Sequence, residues 1–371
     1  MNYFLSIVAA MLLTLFSTQT LTLAADPFVA GTEGYHTFRI PAIIRTAKGT
    51  LLAFCEGRKS GRGDAGNIDL VLKRSNDLGK TWSDLQVVWD DGNNTCGNPC
   101  PVVDQSTGTV WLLLTWNLGS DTESQIMAGK SKSPRLVYVS HSTDDGKSWT
   151  APKNISETTR LPHWRWYATG PGNAIQLQHG KHAGRLLIPC NHSDHRDPKL
   201  HPHHSHVIFS DDHGKTWQIG GLHPDRTNES VVVERDDGTI VQIMRSYFGK
   251  QGRPIATSSD GGSSWQPISL ATELDSPVCQ ANAIRYPLAG GKSVFLFCSP
   301  QGRQRKNLTI WSSEDGGQTW PTSKSVYSGG AAYSNLVALP DNQVGVLFEK
   351  DDYKTISFQV FPVSDFLKPA K

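Results

Sequence analysis

Long apolar runs are scarce in these 371 residues. The one present, Phe4 to Phe16, is short for a membrane span, and Leu21-Thr22-Leu23-Ala24-Ala25 beyond it supplies small residues that suit a cleavage site. Residues 1–24 therefore read as a secretory signal peptide. Residues 25–371 read as the mature protein, secreted or periplasmic, with no membrane span. One feature departs from the usual pattern: no Lys or Arg precedes the apolar run, so the amino group of Met1 is its only positive charge. Excess charge is missing as well. Lys and Arg number 36 against 34 Asp and Glu, and without a dense basic stripe nothing points to a nucleic-acid partner. Cysteine is sparse: Cys55, Cys96, Cys100, Cys190, Cys279 and Cys298 contain no Cys-x-x-Cys pair, which argues against a zinc site. Cys96 and Cys100 are near enough to bridge across Gly97-Asn98-Pro99, and the others read as buried small hydrophobes. A long amphipathic period of 3.6 residues is also absent, which excludes a helical bundle.

What the chain does have is turn chemistry, with 34 Gly and 21 Pro, and a repeat. The pattern Ser-x-Asp-x-Gly-x-(Ser/Thr)-Trp occurs at Ser75–Trp82, Ser142–Trp149, Ser210–Trp217, Ser258–Trp265 and Ser313–Trp320, with starts 48 to 68 residues apart. Each copy suits a tight hairpin. The Asp can accept from turn amides, the Gly supplies positive φ, and the Trp packs back on the turn. Between copies lie short β-rich runs: 51–54, 110–114, 185–188, 239–243, 293–297 and 344–348. Six comparable strands and this spacing predict an all-β chain, a six-bladed β-propeller of four-stranded antiparallel sheets. The boxes establish architecture and carry no chemistry of their own.

Ahead of the first box stands Phe38-Arg39-Ile40-Pro41. Followed by several Asp boxes, it resembles the non-viral exo-α-sialidase (neuraminidase) family, over about residues 36–361. The resemblance implies a set of residues. Three arginines grip the sialic acid carboxylate: Arg39 of the Arg-Ile-Pro motif, Arg245 from the series Glu229, Glu234, Arg245, and Arg305 of Arg305-Lys306-Asn307, with Arg303 a competitor. Arginine suits the task, because its planar fork binds a carboxylate in bidentate fashion. Asp64 in a Gly-rich loop matches the acid/base, with Asp69 as runner-up. Tyr333 matches the nucleophile, with Tyr327 a weaker candidate, and Glu229 matches the base that activates it. Glu349 resembles the residue that orients the first arginine, and Arg58 one that contacts the hydroxyl side of the sugar. Trp116, Asn117 and Trp164 are guesses for an apolar N-acetyl pocket from the second and third blades.

The resemblance implies retaining hydrolysis of terminal sialic acid from sialylated glycans through a sialyl-tyrosine intermediate, without cofactor or metal, by a monomer. One local feature pulls the other way. His192, His195, His201, His203, His204 and His206 crowd into 15 residues, a density that can bind zinc or copper. No Cys lies among them, and Pro198 and Pro202 interrupt any regular ligand face, so they read as a polar loop at the end of a blade. A non-catalytic sialic-acid-binding propeller would keep the arginines and lose Tyr, Glu or Asp. Another Asp-box protein would lack the ordered series altogether.

Overall fold

The computed structural model describes residues 24–368, so the expected signal peptide, apart from Ala24, lies outside the described residues. Strands dominate, and the helices are short turns such as Glu123–Met127 and Ser156–Thr159. Among the described residues no helix is long and apolar enough to cross a membrane. All six apolar runs picked out in the sequence lie in strands: Leu51–Arg58, Val110–Asn117, Leu186–Ser193, Ile240–Ser246, Ser293–Pro300 and Gln343–Lys350.

The strands form several sheets, almost wholly antiparallel. One runs Thr37–Arg45, Leu51–Arg58, Ile68–Ser75, Thr95–Val103, Val110–Asn117, Leu136–Ser142, Lys153–Asn154, with Gln86–Trp89 beside Ile68–Ser75. Its two halves are joined as paired strands only at the parallel pairing of Ile68 with Thr95. A second joins Tyr167–Thr169, Leu186–Ser193, His203–Ser210 and Gln218–Asp225, and a third Thr227–Glu234, Ile240–Ser246, Arg253–Ser258 and Ser269–Ala271. The last contains the 18-residue strand Thr322–Leu339, which pairs with Lys306–Ser313 along its first half and Gln343–Lys350 along its second. The N-terminal strand Ala24–Val29 pairs with Thr355–Pro362 at the other end of the chain, so the two ends close on each other. Strand Thr37–Arg45 packs against both Thr95–Val103 and Thr322–Leu339, and Thr227–Glu234 against Asn282–Pro287, so the leading strands crowd a common centre.

The boxes explain how one sheet grips the next. In the first, Gly79 N–H donates to Ser75 Oγ (2.8 Å), Thr81 N–H to Asp77 Oδ1 (2.9 Å) and Thr81 Oγ1 to Asp77 Oδ2 (2.6 Å). The other four repeat the bond from the Gly amide to the Ser hydroxyl. The sequence reading has each Trp packing back on its own turn, but most reach across to a neighbouring sheet. Trp265 meets His223, Trp217 meets Trp111, and Trp82 of the first box meets Phe358 of the last sheet at 5.5 Å. A β-carbon on Gly79 would come within 2.2 Å of the Phe358 ring, so only glycine permits that approach. Box packing thus runs around the molecule and returns to its start.

No Cys96–Cys100 bridge forms, and all six cysteines are free and buried. The strand carrying the two shifts register between Gly97 and Cys100. That shift sends Cys96 into the cluster with Leu52 and Leu112 and Cys100 into the one with Trp164 and Ile188.

The box aspartates couple the fold to pH. Bonds from the Thr81 hydroxyl and amide hold the Asp77 carboxyl down at about 2, from 3.8. A pKa depressed by folding contributes stability that is complete above roughly pH 4 and is lost as pH falls towards about 2. Melting curves should therefore show Tm dropping chiefly below about pH 4. Asp77→Ala should cost about 1–3 kcal/mol at neutral pH and flatten that acid slope, because a charged acceptor of turn donors is lost. An unchanged Tm in Asp77→Ala would show that sheet packing alone holds the turn.

Candidate active site

Register shifts in the leading strands aim side chains into one cavity of about 170 Å³. Along Thr37–Arg45 the pairing slips between Arg39 and Ala42, leaving Ile40 and Pro41 in a bulge. Proline suits that position because it has no N–H to leave unpaired. Ile40 adopts φ 62°, a conformation that costs a β-branched residue about 1–3 kcal/mol. Matching slips occur at Gly97–Cys100, Thr227–Ser230 and Ala331–Ser334, beside Asn98, Glu229 and Tyr333. Each places a cavity-lining residue where regular pleating would not.

The strained turn is held by Glu349. Its Oε1 accepts from Arg39 Nε (2.7 Å) and Ile40 N (2.9 Å), and its Oε2 from Tyr333 N (3.0 Å). Against the opposing effect of burial, the Glu349 charge holds the Arg39 guanidinium firmly protonated. Arg245 donates from Nη1 to Glu229 Oε2 (2.7 Å) and to Tyr333 Oη (3.3 Å), and from Nη2 to Tyr247 Oη (3.0 Å). Arg305 donates to Tyr353 Oη (3.1 Å). The guanidinium carbons of Arg39 and Arg305 lie 5.4 and 5.5 Å from the centre of the Tyr333 ring. Three arginines thus surround one phenol.

The Tyr333 hydroxyl donates to Glu229 Oε1 at 2.6 Å, and the residue is only 6% exposed. Burial and the Glu229 charge push the phenol well above its ordinary pKa, with Arg245 and Arg39 pulling the other way. Tyr333 is therefore a neutral phenol that donates its hydroxyl proton in a hydrogen bond to Glu229.

Asp64 projects from the loop 59–67 with its side chain 55% exposed. Its Oδ1 lies 2.7 Å from Arg58 Nη2 and 4.0 Å from Arg39 Nη1. Burial alone would raise its pKa, but Arg58 and then Arg39 outweigh that and hold the carboxyl below its usual value. Arg58 is itself buried and bonded to Glu56 Oε2 through Nε (3.0 Å) and Nη2 (2.6 Å).

Arg39, Arg58, Asp64, Glu229, Arg245, Arg305 and Tyr333 all line the cavity, with Glu349 directly behind Arg39. The runners-up lie elsewhere. Asp69 is buried between Tyr35 Oη (2.6 Å) and Lys59 Nζ (3.0 Å), Tyr327 bonds Asp351, and Arg303 is exposed. The three N-acetyl-pocket guesses do not line the cavity. Trp164 stacks on His192 at 3.6 Å, Trp116 Nε1 donates to Asp91, and Asn117 bonds Leu118 O and Asp121 O. Asn98, Arg135, Trp166, Ala168, Asn191 and Glu123 line the cavity as well. Arg135 and Glu123 belong to no motif, and only the fold brings them to the cavity.

The histidines are not a solvated loop. His192, His203, His204 and His206 lie in the paired strands Leu186–Ser193 and His203–Ser210, and only His195 and His201 lie in the connection. His192 Nδ1 meets His206 Nδ1 at 3.0 Å, and His206 Nε2 meets Tyr167 Oη at 2.9 Å. Burial pushes His206 down to about 3 and His203 to about 4, so both are neutral packing groups. Among the described residues no three His, Cys, Asp or Glu side chains gather as metal ligands would.

Residues 49–346 match the family model described as a BNR repeat-like domain. The chain is 33% identical to a sialidase of Micromonospora viridifaciens over 87% of its own length and 51% of that protein's, so it spans about half of that relative. It is 30% identical to sialidase-2 of Cricetulus griseus over 88% of this chain and 93% of that one. The solved structure of the Hadza microbial sialidase Hz136 superposes with a TM-score of 0.82 at 29% identity, covering 93% of this chain and 69% of the other. By the repeat domain, and by a mammalian relative matched along nearly its whole length, this chain belongs to the sialidase family.

Proposed function

We propose that the protein is a retaining exo-α-sialidase that removes terminal sialic acid from sialylated glycans by way of a sialyl-tyrosine intermediate. The observation that carries the reading is the 2.6 Å bond from Tyr333 Oη to Glu229 beneath three arginines. Arg39, Arg245 and Arg305 take the substrate carboxylate, and Tyr333 then faces the anomeric carbon beside it. A neutral phenol suits that place, since an anionic Asp or Glu would be repelled by the substrate's own carboxylate. As Tyr333 oxygen bonds to the anomeric carbon, its proton passes to Glu229, and Asp64 protonates the departing glycosidic oxygen. Asp64 then takes a proton from water, which attacks the same carbon. Tyr333 leaves and recovers its proton from Glu229. Two inversions give net retention.

The depressed pKa of Asp64 fits this sequence only if binding changes it. A substrate carboxylate among the arginines offsets the positive field that holds Asp64 ionised, so binding raises its pKa towards that of a working acid. The bowl of sheets reads as a six-bladed propeller if the parallel junction at Ile68–Thr95 and the midpoint of strand Thr322–Leu339 are taken as blade boundaries. We further read residues 1–24 as a cleaved signal peptide, and the mature chain as a secreted or periplasmic monomer.

Two measurements test the mechanism. Tyr333→Phe should lower kcat on a fluorogenic α-sialoside by on the order of 10³-fold or more while leaving the melting temperature close to wild type. Full activity in that variant would remove Tyr333 as nucleophile. Arg58→Met deletes the strongest ionic cause of the low Asp64 pKa. It should lower activity and move the alkaline limb of kcat/KM to higher pH for an alkyl-linked aglycone, because a raised pKa keeps the acid protonated further up the scale. A limb that stays in place would dissociate Asp64 from the acid role.

A further inference from the structure

Arg305 is the member of the arginine trio that no carboxylate holds. Arg39 is paired with Glu349 and Arg245 with Glu229, each at 2.7 Å, whereas Arg305 has no carboxylate within salt-bridge distance among the described residues. Its Nη1 donates to Tyr353 Oη at 3.1 Å and its Nη2 to the Val278 carbonyl at 3.4 Å. The same tyrosine faces Arg39, whose guanidinium carbon lies 4.3 Å from the centre of the Tyr353 ring. Tyr353 also packs on the cluster of Ile40, Cys279, Ala332 and Tyr333. It does not line the catalytic cavity but a smaller one, which Arg305 and Glu349 share.

Tyr353 stands in a turn built against backbone preference. Between Gln343–Lys350 and Thr355–Pro362, the residues Asp351, Asp352 and Tyr353 have φ of 51°, 55° and 65°. Residues other than glycine visit this region singly, and a bulky aromatic seldom does. Such a run persists only where its contacts over-determine it. Here Asp351 N donates to Gly330 O (2.8 Å), and the Asp351 carboxylate accepts from the Tyr327 hydroxyl. Asp352 Oδ2 accepts from Arg62 Nη1 (2.8 Å), in the loop that carries Asp64, and Lys354 N donates to Lys350 O (3.1 Å). The outcome of the turn is one side chain set against two of the three arginines.

The chemistry of the partner matters. A carboxylate beside Arg305 would orient it and also offset its charge, weakening its pull on any carboxylate that enters the cavity. A phenol hydroxyl accepts the same hydrogen bond and carries no charge. On the basis of the sialidase reading above, we propose that Tyr353 is a positioning residue for carboxylate recognition, which fixes Arg305 by a hydrogen bond and Arg39 by ring contact while leaving the whole charge of Arg305 to the ligand. Ordering a long side chain is part of the cost of binding, and a guanidinium already held in place escapes it.

The test uses Tyr353→Phe, which keeps the ring against Arg39 and removes the acceptor of Arg305. Calorimetry compares two ligands on the full chain and on the variant: the unsaturated glycal of N-acetylneuraminic acid, and the same glycal with its carboxylate converted to a carboxamide. The ratio of the two dissociation constants within one protein cancels any loss of folded chain. Wild type should bind the acid about 100-fold or more tighter than the amide, and Tyr353→Phe should cut that ratio about five- to tenfold by weakening the acid alone. On a fluorogenic α-sialoside the variant should lose more in KM than in kcat, because the trio grips the carboxylate in ground state and transition state alike. One ratio shared by both proteins, or a loss borne by kcat alone, would overturn the role of Tyr353 and leave the sialidase reading intact. A wild type that bound neither ligand and cleaved no sialoside would overturn that reading instead.

Discussion

The carboxylate of Glu349 is the point on which the site depends. It is buried, a position that costs a charged group several kcal/mol unless its oxygens are satisfied, and here they are met by Arg39 Nε, Ile40 N and Tyr333 N. Two of those donors come from the first long strand, and one from the strand that follows the last Asp box. One group therefore fixes the Arg39 guanidinium, the backbone that presents it and the backbone that presents Tyr333. Arg39 and Glu349 are 310 residues apart in the chain. They meet where Thr37–Arg45 of the first sheet packs on Thr322–Leu339 and Gln343–Lys350 of the last, the same two sheets that Trp82 and Phe358 join.

The same logic governs the charges around the cavity. Glu349 holds Arg39, Glu229 holds Arg245, and Glu56 holds Arg58, each at 2.6 to 2.7 Å. Arg305 and Arg135 have no carboxylate within salt-bridge distance among the described residues. The paired arginines are rigid because fixed partners orient them. The other two leave positive potential uncompensated at separate places in the cavity, which is where anionic and polar groups of a ligand gain most.

How much of this was legible in the sequence differs by level. The five boxes and the six apolar runs located turns and strands, since both are local patterns whose physics is complete within eight residues. The candidate site residues came from the family resemblance: Arg39 from its Arg-Ile-Pro motif, Glu229 and Arg245 from a Glu-Glu-Arg series, and Arg305 and Tyr333 from their places around the last box; the fold brings all five to one cavity. What failed was anything decided by a register slip or a cross-sheet contact. Cys96 and Cys100, near enough in sequence to bridge, are sent by the Gly97–Cys100 bulge into separate cores as free thiols. Trp164 looked like a sugar-binding aromatic, yet it is committed to a ring stack with His192. Arg135 has no motif around it. Its place at the cavity wall is set by Asn98, which the bulge in Thr95–Val103 delivers, and by Trp166, just ahead of Tyr167–Thr169 of another sheet.

The two ends of the sheets differ: the register slips lie at the cavity end and the boxes at the other. In the first sheet Thr37 pairs with Arg58 and Arg58 with Ile68 at the cavity end, while Leu51 pairs with Ser75, the first residue of a box, at the other. The cavity end carries bulges and the positive φ of Ile40 and Asn98, conformations that each cost about 1–3 kcal/mol and persist only where their surroundings over-determine them. The far end carries turns such as the first box, in which the Ser and Asp side chains satisfy the local donors and Trp82 packs on Phe358 of the last sheet. The boxes supply no group to the cavity, and their bonds contribute to the stability of the sheets that carry it. A box variant distant from the cavity should for that reason relax the Ile40 bulge before it unfolds the sheet, because the least favourable conformation yields first when the margin holding it is reduced.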